Sequence, residues 1–377
     1  MKRLLTIILT FLLLFHVTVN ASEYIPSANV KSLLLMEASS GKILYENNSH
    51  ESLPPASVTK IMTMLLVCEA IERGELTLDT QIVASERAKS MGGSTIFLDT
   101  NEVMTLNDLL KGIAVASAND ACVAVAEHMC GSVESFVERM NKRAIDLGMK
   151  DTNFINCNGL DAENHHTSAY DIALMSKELL KHKMIEKYTT IWMDTLRDGK
   201  FQLANTNKLI RFYQGANGLK TGSTDKAGCC ISATAKRDGM QLIAVVMGAQ
   251  TSKERFNAAS ELLNYGFANF TVSSFGEKGT EVCEVPVLYG KESGTIAITK
   301  KDTTVVIDRN NKEKIKTHIN ILKHIKAPVK KGEIIGELII TLNGETLSKT
   351  SLVTDRSIKK KNAADYFVYL LRGVFNA

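Results

Sequence analysis

Strand-type patterning on both sides of a helical middle is what most restricts how this chain can fold. Val30–Met36 and Ile43–Tyr45, joined through Ser39-Ser40-Gly41, read as an early hairpin. Apolar residues then recur at helical spacing from near Ser57 to about Glu72, and again in Leu106–Ile113, Asn119–Met129, Val133–Leu147 and Ala169–Leu180. Strand character returns after residue 200, where Cys229–Ala235 and Met240–Met247 flank the hairpin signal Asp238-Gly239. A helix over Ser252–Phe267 follows. Strands first and last with helices between imply one α+β unit. In it the early hairpin joins the late strands in an antiparallel sheet flanked by helices.

The pattern changes near residue 275. Val282–Val287, Thr295–Ile298, Thr303–Ile307, Ile315–Leu322 and Ile334–Leu342 are short β-type segments separated by Gly, Asn, Asp and Lys turns. We therefore expect an α+β unit over residues 22–272, a small all-β unit over 273–358, and a basic run with a terminal helix over 359–377.

Both ends carry membrane signals. Lys2 and Arg3 precede an apolar run from Leu4 to Phe15, and Val19 and Ala21 supply small residues for cleavage. That is the pattern of a secretory signal peptide over residues 1–21, and the run is short of the roughly 20 residues a spanning helix needs. At the other end, Lys361, Asp365, Tyr369, Arg372 and Asn376 fall on one helical face, with Phe367, Leu370, Leu371, Val374 and Phe375 opposite. With Lys359–Lys361 before it, this amphipathic helix is expected to lie on an anionic membrane surface; the alternative is a helix docked on its own domain. The expected location is outside the membrane that the chain is exported across, at its outer face.

Composition removes other classes. A formal net charge of +4, with no basic stripe interleaved with aromatics, argues against nucleic acid. Seven cysteines, without a CxxC pair or zinc spacing, indicate neither a disulfide framework nor a metal site. Cys68 and Cys122 read as core residues, and adjacent Cys229 and Cys230 should face opposite sides of a strand. No cofactor is expected.

Three motifs carry the chemistry. Ser57-Val58-Thr59-Lys60 opens a long apolar helix, Ser117-Ala118-Asn119 precedes another, and Lys220-Thr221-Gly222 lies among the late strands. A serine at a helix start is surrounded by unpaired backbone N–H groups, which stabilise a developing oxyanion. Residues i and i+3 share a face, so Lys60 sits beside Ser57 and, once partly buried, can serve as its base. Ser117 can relay a proton to a leaving amine while Asn119 holds Lys60 and a substrate amide. Lys220 and Thr221 can bind a carboxylate, and Gly222 allows close approach of backbone. Each motif alone is weak, since Ser57, Ser117 and Asn119 would each serve as ordinary caps.

Together, in this order, the motifs resemble those of serine-type D-alanyl-D-alanine carboxypeptidases, the low-molecular-mass penicillin-binding proteins of peptidase family S11. The resemblance covers nearly the whole chain after the signal segment. It implies a β-lactamase/transpeptidase-like fold and removal of the terminal D-Ala from peptidoglycan stem peptides through a serine acyl-enzyme, with β-lactams as covalent inhibitors. It also implies that the backbone N–H groups of Ser57 and Ser223 receive the oxyanion, that Arg255 helps hold the substrate's carboxylate, and that the loop around His165, Thr167-Ser168-Ala169 and Asp171 lies near the site. Asn217 departs from the family, which often has Asp before Gly-Leu-Lys-Thr-Gly.

Four other readings compete. A β-lactamase needs a carboxylate to activate water; Asp161 and Glu163 lie in the relevant region without forming the E-x-x-L-N motif. A transpeptidase would share the acyl-enzyme. An inert peptidoglycan-binding protein would not need Ser57 and Lys60. A metal hydrolase would have to use His165, His166 and Cys157, which lack ligand spacing.

Overall fold

The computed structural model describes residues 29–367, without the side chains of residues 312 and 313. The signal segment and most of the terminal helix lie outside the described residues.

A five-stranded antiparallel sheet forms the centre of the first unit. Its strands are β1 (Ser32–Glu37), β2 (Ile43–Asn47), β3 (Ala216–Thr224), β4 (Gly228–Arg237) and β5 (Met240–Ala249), in the spatial order β2-β1-β5-β4-β3. The early hairpin thus pairs with the late strands, Leu34 opposite Val245. Asp238 and Gly239 both take positive φ, as a two-residue turn between right-twisted strands requires.

β1 carries an unbroken apolar run because helices cover both faces of the sheet. Successive side chains point to opposite sides. Leu34 and Met36 enter the core shared with α1 (Lys60–Glu72) and α5 (Ala169–Leu179), while Leu33 and Leu35 pack against Leu262 and Leu263 of α6 (Ser252–Asn269). The helical lobe adds α2 (Leu106–Lys111), α3 (Asn119–Cys130) and α4 (Val133–Asp146). α1 is buried on every side, which is why its apolar residues show no clean stripe.

Beyond α6, β6 (Phe270–Ser274) pairs with β9 (Thr304–Asp308) and ties the second unit to the first. Val306 of β9 joins the core of the first unit, and Lys42 Nζ donates to its carbonyl at 3.1 Å. The second unit is a six-stranded sheet of β7 (Glu281–Leu288), β8 (Gly294–Thr299), β10 (Ile315–Ile321), β11 (Ile325–Lys326), β12 (Ile334–Leu342) and β13 (Glu345–Thr354), in the order β10-β12-β13-β8-β7-β11. β13 is absent from the sequence reading because its first half is polar on both faces. The hairpins Gln81–Val83/Val103–Thr105 and Met193–Leu196/Phe201–Ala204 are also additions. Among the described residues no helix is long and apolar enough to cross a membrane.

Candidate active site

The turn that carries Ser57 departs from the sequence reading by one turn of helix. Ala56–Thr59 forms a 3-10 turn, entered by Ala56 at φ 49°, and the α-helix begins only at Lys60. With three residues per turn, positions i and i+3 eclipse, which sets Lys60 directly over Ser57. Lys60 is fully buried. Its Nζ lies 2.9 Å from Ser57 Oγ, 2.7 Å from Asn119 Oδ1 and 2.6 Å from the carbonyl of Asn158. Burial pulls its pKa below the ordinary lysine value, against weaker opposing pulls from Cys122, Cys157 and the Asp120 carboxylate.

The second motif is placed by strain. α2 widens into a π-turn over Gly112–Ala116, and Ser117 then takes the left-handed conformation at φ 64°. Ser117 is itself buried, and such π-turns recur at functional sites. Asn119 spends its amide nitrogen on the carbonyl of Gly92 at 2.7 Å. Its carbonyl therefore faces Lys60. Asp120 accepts from the N–H groups of Ile96 and Leu98 and pins that segment beside the motif.

The third motif occupies β3. Lys220 is buried and donates to the carbonyl of Thr221 at 2.9 Å; Thr221 Oγ1 donates to Thr206 Oγ1 at 2.7 Å. Burial, and then the charge of Lys60, hold the pKa of Lys220 well below its usual value. Arg255 reaches β3 from behind, donating to the carbonyl of Gly222 at 3.0 Å and stacking over Phe256. Among the described residues neither Lys220 nor Arg255 has a carboxylate partner. A bound anion would supply the counterion that these two buried groups lack.

Gly222 permits a close approach, but to the turn that carries Ser57. A Cβ there would stand 2.8 Å from Ser57 N and 2.9 Å from Ala56 Cβ. Gly159, at φ 88°, closes the other side; its Cβ would collide with the Ala56 backbone and lie 2.8 Å from Ser57 N. Ser223 follows on β3, opposite Cys229, its hydroxyl 3.6 Å from that thiol.

The chain matches a known family. The D-alanyl-D-alanine carboxypeptidase profile (peptidase S11) fits residues 18–251, and that of the C-terminal domain of penicillin-binding protein 5 fits residues 270–360. The chain belongs to the D-alanyl-D-alanine carboxypeptidase family. It is 43% identical over 347 residues to the carboxypeptidase DacF of Bacillus subtilis, covering 91% of this chain and 88% of the relative. It is similar to penicillin-binding protein 5 of Haemophilus influenzae, with a TM-score of 0.79 and 32% identity over 90% of this chain and 100% of that one. Penicillin-binding protein D2 of Listeria monocytogenes, solved in its ampicillin-bound form, aligns with a TM-score of 0.60 and 30% identity over 65% of this chain and 100% of that one.

Groups that sequence reasoning missed also surround Ser57 and Lys60. Asn158 offers its backbone carbonyl, which no side-chain pattern announces. Gly159 could have been noticed only as one glycine in a loop rich in them. His165 does sit by the site, as the resemblance implies. Its Nδ1 accepts from the Ile155 N–H at 2.9 Å, so the proton is on Nε2, 2.9 Å from Thr59 Oγ1; Thr59 in turn donates to the Ala56 carbonyl. The ring braces the turn that carries Ser57, and both its nitrogens are engaged. Asp161 is likewise committed, accepting from Thr224 Oγ1 at 2.7 Å. Asn217, the departure from the family, exchanges amide hydrogen bonds with Gln241 and accepts from Thr234. All seven cysteines are free; Cys230 is buried and Cys229 half-buried, on opposite faces of β4.

Proposed function

We propose that Ser57 is the nucleophile of this D-Ala-D-Ala carboxypeptidase and Lys60 its general base. The three partners of Lys60 Nζ carry the assignment. Asn119 Oδ1 and the Asn158 carbonyl can only accept, so each fixes one N–H of the amine. Ser57 Oγ can accept or donate. When Lys60 is neutral, its lone pair therefore points at the serine hydroxyl. Burial favours that neutral form.

Ser57 Oγ then attacks the carbonyl carbon between the two D-Ala residues and its proton passes to Lys60. The oxyanion is received by the N–H groups of Ser57 and Ser223. Ser117 delivers the proton to the departing amine, free D-Ala leaves, and water activated by Lys60 releases the shortened peptide. Lys220 and Thr221 hold the terminal carboxylate, with Arg255 adding charge from behind β3. The substrate is the peptidoglycan stem peptide, and β-lactams acylate the same serine. Asp161, tied to Thr224, is not free to serve as a lactamase-type base.

The exported enzyme would work at the outer face of the membrane, held by its terminal helix. Asn362 and Asp365 cap that helix reciprocally, each accepting from the other's N–H, which supports a helix start at 363. A fluorescent penicillin tests the catalytic assignment: Ser57→Ala should remain folded and unlabelled, and labelling of a folded Ser57→Ala protein would overturn it.

A further inference from the structure

The β-rich unit is polarised along its strands. One end faces the catalytic unit, where Lys301, Asp302 and Thr346–Ser348 border the Ser39–Lys42 turn. The other end gathers the turn after β7, both ends of β11, the starts of β12 and the terminal helix, and the exit of β10. The connections are explicit: Gly290 bridges Lys360, Leu288 pairs with Lys326, Val329 bridges Ile358, and the Leu322 N–H donates to the Ile335 carbonyl.

Two properties concentrate at this far end. Beyond residue 275, every exposed large apolar side chain among the described residues lies there, Ile319 excepted. Tyr289, Leu322 and Ile334 are each more than half exposed, and Leu288, Tyr366 and Phe367 join them. Exposed lysines surround these groups: Lys291 after β7, Lys323 and Lys326 at β11, and Lys330 and Lys331 in the following turn. Lys359 and Lys360 add to them on the approach to the helix. Among the described residues, only Lys291 of these seven has an ion pair, with Asp365 of the terminal helix at 3.0 Å.

We propose that this end of the β sheet is itself a contact surface for anionic lipid, acting beside the terminal helix. The proposal deepens the membrane reading above and rests on it. Apolar side chains enter the headgroup boundary while lysines meet the anionic surface, the pairing that interfacial contacts require. Its position continuous with the helix start makes the attachment two-pointed. Two points fix orientation, so the strands stand away from the membrane and hold the catalytic unit roughly one strand length, about 27 Å, above it.

The test uses the protein lacking residues 1–21, with vesicles of phosphatidylcholine alone or mixed with phosphatidylglycerol. Tyr289→Asp with Leu322→Asp should weaken binding to the mixed vesicles about tenfold with the helix sequence intact, because two apolar groups no longer enter the interface. Leu371→Asp should leave a residual, salt-sensitive binding that disappears when the two changes are added. Circular dichroism and penicillin labelling confirm the fold of each variant. Unchanged vesicle binding by the Tyr289→Asp/Leu322→Asp protein overturns the proposal. So does a loss seen equally with soluble polyphosphate, which would mark an anionic polymer site. Leu371→Asp binding as tightly as the parent would sink the helix reading alone and leave the sheet-end surface standing.

Discussion

In the cleft, Lys60 and Lys220 are withdrawn from water and given no carboxylate, whereas at the far end of the β sheet Lys323, Lys326, Lys330 and Lys331 stand in solvent. Burial of an unpaired ammonium costs several kcal/mol, and the molecule relieves it by lowering the pKa. A buried lysine can then act as a base, or be kept charged by a bound anion. An exposed lysine keeps its full charge, which acts only at short range and through numbers. On the proposed assignments the same residue type serves as a reagent in one place and as a field in the other. Burial, and not sequence, makes the difference.

The largest break in that contrast should come from Lys60. Lys60→Ala should slow acylation by a fluorescent penicillin at least ~10²-fold, the usual loss of a general base. Lys60→Arg should fare no better, because a guanidinium does not surrender its proton near neutral pH. In the parent, acylation should rise with pH as Lys60 loses its proton, with the acid limb below the range of an ordinary lysine. Full activity in the arginine variant would end the case for a neutral amine.

His165 tests burial without catalysis. Desolvation lowers its pKa from the ordinary 6.5 to about 4. The unfolded chain therefore binds a proton across that interval that the folded protein does not. Stability is whole above pH 6.5 and falls as pH drops toward 4, by up to about 3 kcal/mol. Urea midpoints measured between pH 7 and 4.5 should show this slope. His165→Gln should flatten it, and an unchanged slope would move the cause to another group.

The Lys220 prediction is smaller and sharper. A charge-assisted hydrogen bond to the substrate carboxylate contributes about 1.5–3 kcal/mol, or roughly 10- to 150-fold. A peptide ending in D-Ala-D-Ala amide should lose that much kcat/KM in the parent and little more in Lys220→Gln. Equal turnover of acid and amide by the parent would remove Lys220 from recognition.

These sites were unevenly legible. Motif order and helical spacing led to Ser57, Lys60, Ser117, Asn119 and Lys220, because side-chain chemistry is written in the sequence. The carbonyl of Asn158 and the cleared space at Gly159 were not, since both act through backbone placed by distant contacts. Among strands the failure was different. Asp238-Gly239 was read as a hairpin, yet Asn343-Gly344 makes the same turn, with φ 51° and 90°, between β12 and β13. That signal was present and overlooked, because Glu345–Lys349 lacks an apolar face to draw attention to it. The late start of α1 was hidden for another reason: 3-10 and α turns share the same apolar spacing over four residues.

The smallest expected effect is the one that keeps the two regions separate. Lys326→Glu with Lys330→Glu reverses two charges at the far end of the sheet. The cleft lies at least a full strand away, about 27 Å for eight residues. At physiological ionic strength the screening length is about 8 Å, so exposed charges at that distance scarcely reach the site. Turnover of a small soluble D-Ala-D-Ala peptide should therefore stay within about twofold of the parent at physiological salt. The same protein should lose binding to vesicles containing phosphatidylglycerol, since each lysine near such a surface contributes about 1 kcal/mol. A fall in soluble-peptide turnover of more than about fivefold would exceed what screened charge can transmit. It would mean that the exposed lysines reach the chemistry through the protein, and that burial alone does not divide the two roles.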